Sequence, residues 1–310
     1  MSSTRKARPL AASARDESLP QAVERLRALV DRRLAMHFPR AAPERNEIEA
    51  AMAASVLSPG KRLRAVLTLL VVQAYGGDTE LAADVACVPE MVHAASLVLD
   101  DLPCMDNAEV RRGQPTVHRR FGEAVAILAA FALLARAHAL LPAGLTAAGV
   151  VPAHRATLEQ RLAEVVAAMC RGQALDLRPL AGAKDLASLE SVHAQKTGAL
   201  FELAAELGAA AAGIRGPGLE PVLVYARNLG LAFQVGDDLL DAEGREDQLG
   251  KPTGRDVVLG RATFVGVFGT RGARAIRDEL SAAAAGAIAE LTPRGRLLRE
   301  LAEYVRTRTS

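Results

Sequence analysis

The sequence predicts an all-α protein that forms a single-domain bundle, and three observations support this. Half of the 310 residues are hydrophobic, yet aromatic residues make up only 3% and Trp is absent. Alanine fills much of the apolar share, in runs such as Ala209–Ala212 and Ala282–Ala285, and it is the best helix former and a poor strand former. No stretch sustains the two-residue alternation of a half-buried strand. We therefore exclude a β-sandwich, a barrel and an aromatic-rich carbohydrate binder.

Proline and glycine delimit the first half of the predicted helices. Pro39 and Pro43 follow the first, a Ser-Pro-Gly turn follows the second, a Gly-Gly pair ends the third, and Pro103 ends the fourth. A segment from Pro142 to Pro152 follows the fifth. The predicted spans are Leu19–His37, Glu47–Val56, Leu63–Tyr75, Leu81–Leu102 and Glu123–Leu140.

The second half continues the same pattern, which brings the total to roughly ten or more helices. Several of these segments are apolar on nearly every face, which is typical of buried helices. The predicted spans are Ala156–Cys170, Leu186–Gly213, Glu220–Leu240, Ala273–Leu291 and Leu297–Val305. No shift of composition marks a linker, so we expect one domain over residues 19–310. Residues 1–18 are predicted to be a disordered tail, with an organellar transit peptide as the alternative.

Charge and cysteine content exclude several other classes of protein. A net charge of +2 excludes a nucleic-acid binder that depends on bulk charge. The three cysteines lie far apart and form neither a disulfide framework nor a zinc pattern, which favours a reducing compartment and a cytoplasmic location. The longest apolar run, near residues 124–139, is broken by Arg136 and His138, so we expect no membrane span.

Two acidic clusters stand at the C-terminal ends of very apolar helices. They consist of Asp100, Asp101 and Asp106, and of Asp237, Asp238 and Asp241. Carboxylates crowded at such an end repel one another and face the negative end of the helix dipole. A lone cluster could be a solvated helix end, but two clusters indicate a hard cation. Mg²⁺ takes few protein carboxylates together with substrate phosphates, so the clusters predict Mg²⁺ around a diphosphate.

The spacing within each cluster is compatible with a shared site. Asp237 and Asp241 are one helical turn apart and point the same way. Asp100 and Asp106 would point in different directions on a straight helix. Pro103 lies between them and can end the helix, so the chain can bend and return Asp106 towards Asp100.

Basic residues accompany both clusters. Lys61 and Arg64 are three apart, Arg111 and Arg112 follow the first cluster, Lys196 interrupts an apolar helix, and Lys251 follows the second cluster. Arginine and lysine both bind phosphate groups. One such pair alone would be a surface charge, whereas four sets beside two metal clusters predict two anionic substrates.

These motifs, in this order, resemble the trans-isoprenyl diphosphate synthase family. They are Gly-Lys-Arg-x-x-Arg, Asp-Asp-x-x-x-x-Asp, Arg-Arg-Gly, Gly-Gln-x-x-Asp-Leu, Lys-Thr-Gly and Gln-x-x-Asp-Asp-x-x-Asp, from about residue 44 to about residue 268. Residues 92–106 are most similar to bacterial geranylgeranyl diphosphate synthases. The resemblance implies a helical bundle around a central cavity, with the aspartate clusters facing each other across it, usually in a homodimer. It also implies head-to-tail condensation of isopentenyl diphosphate with dimethylallyl, geranyl or farnesyl diphosphate, assisted by three Mg²⁺ ions.

The resemblance also assigns roles to individual residues. Asp100, Asp106 and Asp237 match the main Mg²⁺ ligands, supported by Asp101, Asp238 and Asp241; Lys61, Arg64, His93 and Arg112 match the isopentenyl diphosphate site; Arg111, Lys196 and Lys251 match groups that hold the allylic diphosphate; Thr197 and Gln234 match polar groups beside the developing cation; and Arg261 stands where the family has a late lysine. Ala65 and the Ala130-Phe131 pair depart from the family's usual Pro and Gly-Asp.

Product length is expected to depend on how deep an apolar cavity runs behind Asp100. Ala95 and Ser96, where farnesyl-producing relatives usually have an aromatic residue, lie about 6 to 7.5 Å deeper on the helix. These small residues predict a twenty-carbon product, with Met91, Val92 or Phe131 as the floor. Alternatives are a farnesyl or other product length, a class I terpene cyclase, and a non-catalytic subunit of a heteromeric synthase.

Overall fold

The protein, in a computed structural model, is a bundle of α-helices with one short hairpin. The structure describes residues 17–39, 46–177, 186–243, 263–291 and 294–308. The helices are α1 (Leu19–His37), α2 (Glu47–Val56), α3 (Leu63–Ala74), α4 (Ala83–Asp100), α5 (Val117–Phe121), α6 (Glu123–Ala147), α7 (Pro152–Asp176), α8 (Leu186–His193), α9 (Ala199–Ala211), α10 (Glu220–Glu243), α11 (Phe264–Ala287) and α12 (Arg296–Thr307). Strands β1 (Val110–Arg111) and β2 (Gln114–Pro115) pair antiparallel. The prediction of an all-α fold is confirmed.

Several predicted helix boundaries differ from the structure. The fifth helix continues past Pro142 to Ala147, and the next begins at Pro152, in the first turn where a missing N–H is harmless. The predicted helix Leu186–Gly213 is divided by a π-helical turn at Ala194–Gly198. The predicted helix at Ala273 extends back to Phe264, where Thr263 accepts a hydrogen bond from the amide of Gly266, but the non-helical backbone of Gly269, with φ of 68°, kinks it.

Small residues allow the central helices to approach closely, which explains the alanine content. Gly208 on α9 lies against α3, where an added Cβ would stand 2.4 Å from the carbonyl oxygen of Thr68. The Thr68 hydroxyl donates across the same contact to the carbonyl of Ala204 at 2.8 Å. A larger side chain at position 208 would separate the two helices and open the core.

Helices α4 and α6 run antiparallel along one wall of the bundle. Gly144, near the end of α6, lies against the start of α4, since a Cβ there would stand 3.1 Å from the amide nitrogen of Val85. Both helices rise about 1.5 Å per residue from this contact. Leu134, ten residues before Gly144, is therefore level with Ala95, ten residues after Val85.

The outer face of α6 remains exposed. Leu128 is 52% exposed and Phe131 is 64% exposed, with Ile127 beside them. Among the described residues, α6 is also the one helix that is long and apolar enough to cross a membrane by length and composition. It packs along α4, with further contacts to α2, α5 and α7.

The C-terminal helix α12 packs against α10 and α11 and brings the end of the chain to α10. The buried hydroxyl of Tyr225 on α10 donates to the carbonyl of Leu298 at 2.7 Å. Leu301 and Val305 on the apolar face of α12 are also buried. The last described residue, Arg308, is thereby held beside the second aspartate cluster.

Candidate active site

A cavity of about 770 Å³ lies between α3, α4, α7, α10 and the hairpin. Its polar wall includes Lys61, Arg64, Asp100 and Asp237, while its apolar wall is formed by side chains such as Leu99. Ligand pockets commonly have a volume of roughly 300–1,000 Å³ and an apolar lining with a few placed polar groups. The cavity therefore has the size and the lining of a small-molecule site.

The turn after α4 brings the first acidic cluster together as the proline spacing predicts. Helix α4 ends at Asp100, and the amide of Asp106 donates back to the carbonyl of Asp100 at 2.9 Å. The amide of Ala108 then donates to the carbonyl of Asp101 at 3.1 Å. The backbone of Asp106 is thus returned to the end of α4, where Asp100 lines the cavity.

Asp101 is directed to Arg111 and does not line the cavity. Arg111 on β1 donates to both carboxylate oxygens, with Nε–Oδ2 at 2.9 Å and Nη2–Oδ1 at 2.7 Å, and the Asp101 side chain is only 4% exposed. Burial alone would lower the pKa of Arg111, but the hydrogen bond to Asp101 raises it above its ordinary value. Asp101 therefore orients Arg111, which lines the cavity.

In the second cluster, neighbouring aspartates point in different directions. Asp237 lines the cavity and its side chain is 42% exposed. Asp238 is buried and accepts hydrogen bonds from the amide of Phe264 at 2.8 Å and from Nε2 of Gln234 at 2.9 Å. Asp241 is also buried and does not line the cavity. Asp238 thus fixes the start of α11 on α10.

Asp100 and Asp237 fit a hard divalent cation, whereas Glu90, which also lines the cavity, is buried and pairs with Arg62. No group of three or more His, Cys, Asp or Glu side chains that could hold a metal ion lies within the part of the chain that the structure describes. Mg²⁺ does not need such a group, because it binds through one or two carboxylates, water and substrate phosphates. Asp100 and Asp237 line the same cavity and provide carboxylate oxygens of this kind.

A cationic wall is formed where α3 begins. Arg62 adopts a left-handed backbone conformation with φ of 50° and is held by Asp31 at 2.8 Å and by the carbonyl of Ser58 at 2.9 Å. This strained turn places Lys61 and Arg64, on either side of Arg62, at the cavity. The sequence motif includes Arg62, but its structural role in holding the turn is visible only in the structure.

The nearby acidic groups do not fully offset the desolvation of the arginines in this wall. Desolvation lowers the pKa of Arg64, and the charges of Glu90 and Asp237 only partly oppose it. Arg112 is affected in the same way. His93 lies deep in the fold but partly open to the cavity, and burial together with Arg64 and Arg112 holds its pKa well below the usual value. An anion bound here would favour the charged arginines.

The π-helical turn brings the predicted polar pair together. The Thr197 hydroxyl donates to Oε1 of Gln234 at 2.9 Å, and both residues line the cavity. Nζ of Lys196 lies 2.5 Å from Oδ2 of Asp176 on α7. Helix α7 reaches this turn because Gly172 has no side chain, as a Cβ there would stand 2.4 Å from the amide nitrogen of Lys196. π-Helical turns are frequent at functional sites.

The floor of the cavity differs from the prediction at two positions. Phe131 points outward on the exposed face of α6, and Met91 is buried in the core; neither lines the cavity. Val92 and the small residues Ala95 and Ser96 do line it. The remaining floor comes from Leu134 on α6 and from Val166 and Met169 on α7, which the sequence did not single out. Phe131 does not refill the space that Ala95 leaves.

Two predicted site residues lie outside the described residues, and one new residue joins the site. Lys251 and Arg261 are the residues outside the described ranges. Arg308, near the C-terminus, lines the cavity and contacts Asp237. Sequence reasoning missed it because no motif surrounds it.

Comparison with known proteins gives one consistent family. The sequence model of the polyprenyl synthetase family matches residues 45–290. The chain is 40% identical over 230 residues to a farnesyl diphosphate synthase of Geobacillus stearothermophilus, covering 74% of this chain and 77% of that protein. It is also 40% identical over 240 residues to the putative chloroplastic geranylgeranyl pyrophosphate synthase 8 of Arabidopsis thaliana, covering 76% of this chain and 66% of that protein.

Solved structures with the same fold agree with these relatives. A FPP/GFPP synthase from Zymomonas mobilis, in its apo form, has a TM-score of 0.80 and 33% identity, covering 93% of this chain and 98% of that chain. A geranylgeranyl pyrophosphate synthetase from Pyrococcus horikoshii also has a TM-score of 0.80, with 27% identity, covering 94% of this chain and 98% of that chain.

Proposed function

The chain belongs to the polyprenyl synthetase family, and from that premise we propose that it is a trans-prenyltransferase that condenses isopentenyl diphosphate with an allylic diphosphate. One observation carries the proposal. Asp100 and Asp237 line the same cavity as the cations Arg64 and Arg112 and the imidazole of His93. A cavity with two carboxylates for a cation, and with separate cations for an anion, suits two diphosphate substrates.

The residues of this chain divide the work of the reaction. Asp100 and Asp237 would hold Mg²⁺, as three ions with substrate bound. When bound, Mg²⁺ would neutralise the departing diphosphate and so favour ionisation of the allylic C–O bond. Lys61, Arg64 and Arg112 would hold isopentenyl diphosphate, whose double bond attacks the allylic carbon. The cation that this attack forms would then lose a proton to the released diphosphate, which restores a double bond. Side chains such as Leu99 and the other apolar lining would exclude water, which would otherwise quench the cation.

The hydrogen bond between Thr197 and Gln234 orients oxygen atoms in this cavity. Oε1 of Gln234 accepts a hydrogen bond from the Thr197 hydroxyl, and Nε2 of Gln234 donates one to Asp238. The orientation of the Gln234 amide is therefore fixed at both ends. The lone pairs of the Thr197 hydroxyl stay available because that group is the donor in this bond. Fixed oxygen dipoles beside a developing positive charge stabilise it without reorganisation.

We infer a twenty-carbon product from the small residues Ala95 and Ser96, which line the cavity behind Asp100. On α4 the lining reaches from Asp100 down to Val92, which is about 12 Å for eight residues. Ala95 and Ser96 leave this depth open, and Leu134 lines the opposite wall from α6 at the level of Ala95. A farnesyl or other product length is the alternative within the same chemistry.

We propose that the exposed face of α6 holds a second copy of the chain. Ile127, Leu128 and Phe131 form an apolar stripe on a helix that already packs in the bundle. A self-complementary apolar stripe on one helix suits an isologous dimer. Sedimentation should give a dimer for the wild type and a monomer for Leu128→Glu, whereas a monomeric wild type would contradict the proposal. A cytoplasmic location stays a prediction.

Diphosphate release tests the proposed chemistry against its rivals. The full chain is incubated with Mg²⁺ and with geranyl or farnesyl diphosphate, each with and without isopentenyl diphosphate. We expect release that requires both substrates and Mg²⁺. Release without isopentenyl diphosphate would indicate a terpene cyclase, and no release under either condition would indicate a non-catalytic subunit; both would overturn the proposal.

A further inference from the structure

Arg308, which follows helix α12, lies across one face of α10, against the second aspartate cluster. Its Nη2 donates to Oδ1 of Asp237 at 2.6 Å and to the carbonyl of Phe233 at 2.8 Å. Its guanidinium carbon lies 3.9 Å from the centre of the Phe233 ring. The Arg308 side chain is only 3% exposed, whereas that of Asp237 is 42% exposed. A buried guanidinium that donates two hydrogen bonds therefore holds a carboxylate that faces the cavity.

One face of α10 forms the surface against which this guanidinium packs. Phe233, Gly236 and Asp237 stand three and four residues apart, so they share one face of the helix. Gly236 leaves that face open, because a Cβ there would lie 3.1 Å from Nη2 and 3.2 Å from Nε of Arg308. Near the start of α10, Tyr225 donates to the carbonyl of Leu298 and so holds α12 against α10. Because Arg308 follows α12, this contact fixes its position. The contact thus has a built geometry on both sides.

Stability alone accounts poorly for this arrangement. Nε of Arg308 is buried and has no hydrogen-bond partner among the described residues. A buried unpartnered donor is unfavourable for folding, and an ion pair with a half-exposed carboxylate contributes little. The contact does fix the rotation of Asp237, because Oδ1 is bound and Oδ2 is left for another partner.

We propose that Arg308 is a positioning residue for Asp237, which it holds with Oδ1 bound and Oδ2 available to a divalent cation. This inference rests on the proposed function, in which Asp237 is a metal ligand. Carboxylates that bind metals are themselves commonly oriented by hydrogen bonds, and loss of such a partner typically weakens metal affinity or activity by about 10- to 100-fold. The residue after α12 is thereby part of the cation site.

Manganese binding by the full chain tests the role of Arg308 without turnover. Free Mn²⁺ is followed by electron paramagnetic resonance for the wild type, Arg308→Met, Arg308→Lys and the control Arg306→Met. Arg306 lies on the same helix end but pairs with Glu303 at the surface. We expect Arg308→Met to weaken Mn²⁺ binding about 10- to 100-fold. Arg308→Lys should restore part of the affinity, since it keeps the charge but loses the fork, and Arg306→Met should match the wild type.

The outcomes separate this inference from the proposed function. Unchanged Mn²⁺ affinity in Arg308→Met, with only a lower melting temperature, would make Arg308 structural and overturn the inference. Tighter binding would make Arg308 a competitor of the cation and would also overturn it. A wild type that binds Mn²⁺ in an Arg308-dependent way but transfers no prenyl group overturns only the proposed function. A wild type that binds no Mn²⁺ but transfers prenyl groups overturns only the inference.

Discussion

Replacing Ala95 by phenylalanine is expected to shorten the product by one isoprene unit. Ala95 lines the cavity and is 1% exposed, with Leu134 level with it on α6. A phenylalanine ring at position 95 would extend into the cavity. It would raise the floor of the cavity from the level of Val92 to the level of Ala95. The step of three residues from Val92 to Ala95 spans about 4.5 Å along the helix. One isoprene unit contributes four carbon–carbon bonds of about 1.5 Å, or about 5 Å along a zigzag chain.

The assay compares chain lengths of the products after dephosphorylation, by liquid chromatography and mass spectrometry. We expect C20 for the wild type and C15 for Ala95→Phe. Phe131→Ala is the matched control, because Phe131 is exposed outside the cavity, and its product should stay at C20. Leu134→Ala should extend the product beyond C20 by opening the opposite wall. An unchanged C20 product from Ala95→Phe, or a changed one from Phe131→Ala, would refute the reasoning on depth.

Three further predictions concern the π-helical turn and its neighbours. Gly172→Ala should lower both kcat/KM and the melting temperature, because its Cβ would meet the Lys196 backbone at 2.4 Å, while Gly286→Ala, in open space, should lower neither. Asp176→Asn should lower kcat/KM for the allylic substrate about tenfold or more by loosening Lys196, and unchanged kinetics would contradict that role. Burial lowers the pKa of His193 from 6.5 to about 4, so the unfolded chain binds the proton more readily and stability falls as the pH drops from 6.5 towards 4. His193→Phe should remove this loss of unfolding free energy, which is roughly 3 kcal/mol. Urea titrations of both proteins at the two pH values measure it, and an equal pH dependence would disprove the role of His193.

The sequence was sufficient for the fold class and for the chemical types at the site. Alanine-rich, glycine-punctuated apolar segments predict helices by local preference, and the motifs identify which acids and bases matter. Asp100 and Asp237 share the cavity, and Thr197 contacts Gln234. The family resemblance predicts these pairings between distant helices, because helical spacing and a proline turn act only over a few residues within each cluster.

What the sequence could not predict depends on contacts between distant segments. Phe131 stands where the motif departs from the family, but only the packing of α6 on α4 decides that it points outward. Asp101 and Asp238 carry the same charge as their neighbours, yet Arg111 and the start of α11 bind them away from the cavity. Arg308 joins the site from 71 residues beyond Asp237. Such pairings follow from tertiary packing rather than local pattern.

Elongation of farnesyl diphosphate tests the central claim most directly. The full chain is incubated with farnesyl diphosphate, isotopically labelled isopentenyl diphosphate and Mg²⁺, and the products are separated by chain length. A cavity with two carboxylates, a cationic wall and an open floor at Ala95 predicts a C20 product carrying one labelled unit. Recovery of unextended farnesyl diphosphate, with no label in any longer chain, would contradict the account.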